Sequence, residues 1–159
     1  MVGTKPDLPQ EAGTYALILH CPVAGRLVVG RWGELALVTG WYLYVGSACG
    51  PGGLRARCGR HARGGRAHWH IDYVRPLCRL QEIWFVAERR RREHQWADLL
   101  RQTPGVTLPA PGFGSSDCSC ASHLFRTVAA PSLSRFRQRV RRALPDHGPI
   151  HRWVDESPG

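Results

Sequence analysis

A chain of 159 residues, 43% hydrophobic and 21% charged, is long enough to bury a core and suits one compact domain with a short appendage. Its formal net charge of +10 favours polyanionic partners, nucleic acid first; a membrane surface would need a basic amphipathic segment with apolar anchors. No stretch is apolar enough to span a bilayer and residues 1–11 lack a signal-peptide core, so a cytoplasmic protein is expected, its six cysteines reduced rather than paired.

Residues 1–12 read as a flexible lead-in. Residues 13–20, GTYALILH, are predicted as a strand in which Tyr15, Leu17 and Leu19 alternate with Thr14, Ala16 and Ile18, apolar on both faces as a central strand is. A turn at 22–25 leads to short strands at 27–29 and 35–38 around a glycine-bearing bend at 30–33. A strand at 41–45 follows, with Trp41, Leu43 and Val45 on one face, Tyr42 and Tyr44 on the other, and Gly46 as its end. The first third is thus predicted as an antiparallel meander. Residues 54–62 are predicted as a helix carrying Arg55, Arg57, Arg60 and His61. The glycine-rich turn before it lacks the GK[ST] of a nucleotide-binding P-loop, but would let an anion approach the backbone, which marks a candidate phosphate site.

After a loop at 63–67, His68-Trp69-His70-Ile71-Asp72-Tyr73 reads as a short strand with His68, His70 and Asp72 on one face. Residues 80–87 form a strand with Ile83, Phe85 and Ala87 sharing a face, and 89–102 a helix with Trp96, Leu99 and Leu100 as its buried stripe. Residues 103–114 are a proline- and glycine-rich loop, 115–122 the polar run SSDCSCAS, and 123–128 an edge strand. Pro131 and Ser132 open a last helix in which Leu133, Phe136, Val140 and Leu144 share a face and five arginines lie around the rest. The final residues read as loose. The order of elements is an α+β pattern, divided as a lead-in at 1–12, a domain at 13–130 and a basic helix with tail at 131–159.

Gly13-Thr14-Tyr15 and Tyr44-Val45-Gly46 are followed in order by Leu54-Arg55-Ala56-Arg57, by His61 and by Arg92-Glu93-His94-Gln95-Trp96. This ordered set resembles the GIY-YIG nuclease superfamily. HWHIDYV and GFGSSDCSCASHLF resemble a subfamily of small stand-alone proteins, formerly a domain of unknown function (DUF123-like), fused in some relatives to an endonuclease III-type enzyme. The resemblance spans residues 13–128. It implies a small, mainly antiparallel central sheet flanked by helices. Residues 16–43, longer than in compact members, must add a hairpin. The family's asparagine beyond its glutamate has no counterpart, since the chain contains no asparagine; the GSSD run is a candidate to supply that contact.

The implied activity is metal-dependent endonucleolytic hydrolysis of DNA phosphodiester bonds. Such hydrolysis needs an activated water, a cation for the phosphoryl charge and stabilisation of the leaving oxygen. The resemblance makes Tyr44 the general base, with Tyr15 positioning it or the water. A phenol near pKa 10 is roughly three units too weakly acidic for that role unless nearby positive charge lowers the demand. Arg57 would hold the scissile phosphate with its planar fork. His61, one turn further on the same helix face, would take the proton relayed by Tyr44. His70 is the choice for a second active-site histidine, with a structural hydrogen bond as the alternative. Glu93 would hold one Mg²⁺ or Mn²⁺; without the motif, it reads as an ion-pair partner of the preceding arginines.

Gly46, Ser47, Arg55, Arg57, Arg60 and Ser116 are the expected nucleic-acid contacts. The basic C-terminal helix would add nonspecific phosphate contacts or present a solvated face. Cys118-x-Cys120-x-x-His123 is tightly spaced and lacks an evident fourth ligand, which speaks against zinc and for a structural turn, although a zinc-stabilised interaction domain is a third reading. With no separate recognition domain, single-stranded or branched DNA is favoured over a long specific site, and RNA stays open. The biological role would lie in DNA repair, recombination or removal of foreign DNA. The rival from another class is a non-catalytic nucleic-acid-binding module on the same fold.

Overall fold

The structure, a computed structural model, describes residues 6–29, 33–63, 70–109 and 123–155, with residue 70 described for its backbone alone. Strands β1 (Gly13–Cys21), β2 (Gly25–Val29), β3 (Gly33–Leu37) and β4 (Gly40–Ala48) precede helix α1 (Gly53–Arg63). A 3-10 turn (His70–Tyr73), β5 (Arg79–Ala87), helix α2 (Glu93–Arg101), β6 (Leu124–Thr127), helix α3 (Leu133–Ala143) and β7 (His151–Val154) follow. Five strands form one antiparallel sheet in the order β6-β4-β1-β5-β7, and β2 and β3 form a separate hairpin. The fold is α+β with a mainly antiparallel sheet flanked by helices, an added hairpin and a C-terminal basic helix. No helix among the described residues is long and apolar enough to cross a membrane.

The expected meander is corrected. β1 pairs with β4 over its whole length, from Gly13 opposite Ala48 to Cys21 opposite Gly40, and the β2–β3 ribbon leaves the sheet between them. Burial explains the choice. β1 is buried on both faces, whereas Arg26 and Val28 of β2 are exposed and only its other face is covered. A ribbon with one apolar face can cover a sheet but cannot sit at its centre.

The two faces of β1 carry separate cores. Tyr15, Leu17, Leu19, Tyr44 and Phe85 pack beneath Leu54 and Cys58 of α1, Leu35 and Leu37 of the hairpin, and Ile71 of the 3-10 turn. On the other face Ile18, Val45 and Trp84 meet Trp96 and Leu100 of α2 and Phe136 and Val140 of α3. The Phe136 ring lies 5.4 Å from that of Trp84 and 5.1 Å, edge-on, from that of Trp96.

Four other expectations change. Residues 6–12 are packed, with Leu8 fully buried, and are no loose lead-in. Gly46 does not end β4, which continues to Ala48. Residues 70–73 form a 3-10 turn in place of a strand. Residues 151–154 are not loose either, since as β7 they pair with β5 from Glu82 opposite Val154 to Phe85 opposite His151. Residues 131–155 are therefore part of the same sheet and core.

Helix α2 starts at Glu93, four residues later than the predicted 89. The Arg92 N–H donates to Thr14 Oγ1 (2.9 Å), and the Arg92 guanidinium is buried against Glu88, Gln95 and the Asp146 carbonyl. A buried charge needs such partners, and gathering them holds residues 88–92 out of the helix. Glu93 is thereby set as its first residue.

Candidate active site

The site is seated on the register of β1 against β4. Tyr15 lies opposite Gly46, and a β-carbon built on Gly46 would overlap the Tyr15 phenol. Gly46, expected to touch nucleic acid, is buried and instead makes room for Tyr15. Tyr44, on the same sheet face, lies opposite Leu17.

Helix α1 places Arg57 and His61 over this face. The Tyr15 hydroxyl is 2.8 Å from His61 Nε2, and His61 Nδ1 is 3.1 Å from Asp72 Oδ1. As a carboxylate, Asp72 only accepts, so His61 carries its proton on Nδ1 and its Nε2 accepts from the Tyr15 hydroxyl. His61 is 1% and Tyr15 1% exposed, so this chain is shielded from water. Burial lowers the His61 pKa below the ordinary imidazole value and the Asp72 contact only partly offsets this, so the ring is neutral at pH 7.

The sequence expectation coupled His61 to Tyr44; the hydrogen bond instead goes to Tyr15. Tyr44 meets His61 edge-on, with ring centroids 6.4 Å apart. Burial holds the Tyr15 hydroxyl well above the ordinary phenol range, reinforced by Tyr44 and opposed by a hydrogen bond from Arg57. Burial also raises Tyr44, as do the neighbouring Glu93 and Asp72 carboxylates, and Arg57 opposes them. Both phenols therefore hold their protons at neutral pH.

Arg57 donates from Nη1 to the Ser47 carbonyl at 3.0 Å, and is only half-buried. That bond fixes the guanidinium beside the phenols. Arg60 is also half-buried. Arg55 lies on another side of α1, where it binds the Leu8 carbonyl at 2.8 Å and Asp7 at 3.2 Å, so it anchors residues 6–12. The first N–H groups of α1 after the glycine-rich turn are not open to a phosphate. The Leu54 and Arg55 N–H groups are taken by the carbonyls of Glu11 and Pro9, both at 2.9 Å, which fill the first donors of α1. Gly53, at φ +57°, lets the chain pass so close that any β-carbon there would overlap the carbonyls of Gln10 and Glu11.

Glu93 reaches the site from the opposite face of the sheet. β6 begins at Leu124, paired with Tyr44, and the His123 carbonyl accepts from Val45 N at 3.0 Å. Beyond Val45, β4 pairs only with β1 among the described residues, so groups from both faces meet past the end of β6. Glu93 Oε2 is 3.9 Å from His123 Nδ1, and its Oε1 is 3.9 Å from His94 Nε2. Burial depresses the His123 pKa, more than the Glu93 carboxylate restores it.

Tyr15, Tyr44, Arg57, His61 and Glu93 are thus brought together. The His70 side chain and Ser116 lie outside the described residues, as do Cys118 and Cys120. Asp72, His94 and His123 carry no role at this site in the sequence reading. Asp72 was placed on a strand face with His68 and His70, because local alternation hid the 3-10 turn that aims it at His61. His123 was paired with the nearby cysteines. The signal available for it was the missing asparagine, which asked for a polar residue after Glu93.

A family model described as a domain of unknown function, DUF123, matches residues 14–145. No curated protein and no solved structure matches the chain.

Proposed function

The chain belongs to the DUF123 family, and from that footing we propose that it is a metal-dependent endonuclease of the GIY-YIG type, hydrolysing phosphodiester bonds of DNA. One observation carries the reading: a buried Asp72–His61–Tyr15 hydrogen-bonded chain lies beneath Tyr44, Arg57 and Glu93. A basic chain of net charge +10 supports a polyanionic substrate.

Tyr15 is too buried to meet a substrate, so it is a positioning residue held between His61 and Arg57. Tyr44, 7% exposed, is the phenol at the mouth and the one that meets the attacking water. Its raised pKa means that it acts by passing a proton on, not by standing ionised. Tyr15 and neutral His61 form the way out for that proton, and Asp72 stabilises the imidazolium formed, as the orienting carboxylate of a catalytic triad does. Arg57 is half-exposed and its fork suits two oxygens of the phosphate.

Glu93 is suited to a divalent ion, since its carboxylate and the ring nitrogens of His94 and His123 all lie within 4.8 Å of one another. When bound there, the ion supplies positive charge for the phosphoryl and leaving oxygens.

The test is cleavage of labelled single-stranded, duplex and branched DNA, and of RNA, with Mg²⁺, Mn²⁺ or EDTA. Tyr44→Phe and Glu93→Gln are expected to abolish metal-dependent cleavage while binding survives. Asp72→Asn is expected to slow it by about 10²-fold or more, the scale of a lost acid–base contribution. Cleavage retained in both Tyr44→Phe and Glu93→Gln overturns the assignment. Binding without cleavage of any substrate favours the rival, a non-catalytic nucleic-acid-binding module, which the proton-holding phenols and the absent asparagine would suit.

A further inference from the structure

Two histidines that the hydrolytic chain does not use converge on Glu93. His94 follows it at the start of α2, and His123 is carried there by the chain entering β6. Their nearest nitrogens each lie 3.9 Å from a different Glu93 oxygen, and the three donor atoms fall within 4.8 Å of one another. Bonds of about 2.0–2.2 Å to a shared ion bring neighbouring ligand atoms to roughly 3–3.5 Å. Each separation therefore has to close by less than about 1.5 Å. His94 is 59% exposed and has room to swing, whereas His123 is 5% exposed and held by its packing.

We propose that His94 and His123 join Glu93 as ligands, making this a site for a first-row transition-metal ion in preference to Mg²⁺. The inference deepens the nuclease reading and rests on its placing of a divalent ion at Glu93. Mg²⁺ takes oxygen donors in near-octahedral geometry and keeps its waters. Here two of the three protein donors are imidazole nitrogens, which suit the transition series and rank Mn²⁺ below Co²⁺ and Zn²⁺. One carboxylate against a divalent ion leaves net positive charge beside Tyr44 and Arg57, as binding of a phosphodiester requires. Zinc, disfavoured on the cysteine spacing, becomes a favoured ion on a different ligand set.

The experiment uses the full chain, stripped of metal and without nucleic acid. Mn²⁺ is titrated by loss of the free-ion resonance signal, and Co²⁺ by the visible absorption of its nitrogen-bound form, with Zn²⁺ and Mg²⁺ as competitors. Affinity is expected to be higher for Co²⁺ and Zn²⁺ than for Mn²⁺, with Mg²⁺ a poor competitor. His94→Gln and His123→Gln are each expected to weaken Mn²⁺ at least 10-fold, and Glu93→Gln to abolish binding. His94 is exposed, so its variant keeps the fold; far-UV circular dichroism checks His123→Gln.

Parental Mn²⁺ affinity in both histidine variants overturns the inference, as does Mg²⁺ competing on equal terms. Metal binding with the expected dependences but no cleavage of any nucleic acid sustains it and overturns the nuclease reading. Cleavage lost in Glu93→Gln, with metal affinity untouched by both histidine changes, sustains the nuclease reading and overturns this one.

Discussion

His61 is neutral because of where it sits, and that has a consequence for stability. Facing it are Asp72, Tyr15, Tyr44 and the cations Arg57 and Arg60, with burial as the largest influence on its pKa. Its folded pKa lies below its unfolded value of 6.5. Between the two the unfolded chain binds the extra proton, so stability is full above about pH 6.5 and falls as pH drops toward the folded pKa. The expected slope from this residue is at most about 1.4 kcal/mol per pH unit. Urea midpoints at pH 7.5, 6.5 and 5.5 should fall in the parent and fall less steeply in His61→Gln; equal slopes would show that His61 does not titrate on unfolding. At this scale Tyr15, Tyr44, Arg57, His61 and Glu93 were legible as an ordered motif. Asp72 and His123 were not, because their partners lie 11 and 30 residues away in sequence and are met only through folding.

Among the elements, strands β1, β4 and β5 could be read as short, nearly continuous apolar runs, because each has apolar residues on both faces and is buried between two layers. The pieces read as loose are bound by contacts that composition does not reveal. Residues 6–12 hold the start of α1 through backbone carbonyls and through Leu8, which is 1% exposed. Because α1 carries Arg57 and His61, loosening that strap is expected to disturb the site as well as the core. Leu8→Ala should cost about 2–5 kcal/mol, the range for a buried leucine. Urea denaturation measures it, and a loss under about 0.5 kcal/mol would mean that the strap does not bear on the fold. β7 is exposed at three of its four positions and lies beyond the family match, which ends at residue 145. Its place in the sheet comes from pairing with β5, and Ile150 just before it is buried.

Over the whole molecule, positive charge is divided between the two sides of the sheet. Arg57 and Arg60 belong to α1 on the face of the phenols, while α3 and its exposed Arg135, Arg141 and Arg142 cover the other face. On the proposed reading, nucleic acid engaging Arg57 meets the α1 side, so the α3 arginines are not its contacts. Arg60→Gln is then expected to reduce the slope of log affinity against log salt by about 0.9, the value for one phosphate contact on duplex DNA. The triple change Arg135→Gln, Arg141→Gln and Arg142→Gln should leave that slope unchanged. An equal or larger loss from the triple change would mean that the nucleic acid wraps past the sheet edge.

By itself, the amino-acid sequence determined the α+β class, the central strands, the three helices and the residues around which a hydrolytic site would be built. Those properties live in local periodicity, in glycine placement and in the order of motif residues, all of which are written along the chain. Only the tertiary structure decided that β4 rather than β2 lies beside β1, that residues 6–12 and β7 belong to the fold, and that His61 bonds Tyr15 and Asp72. The physical reason is that pairing partners, burial and proton affinity depend on distances across the sheet, and Glu93 and His123 become neighbours only where the chain enters β6 beside β4.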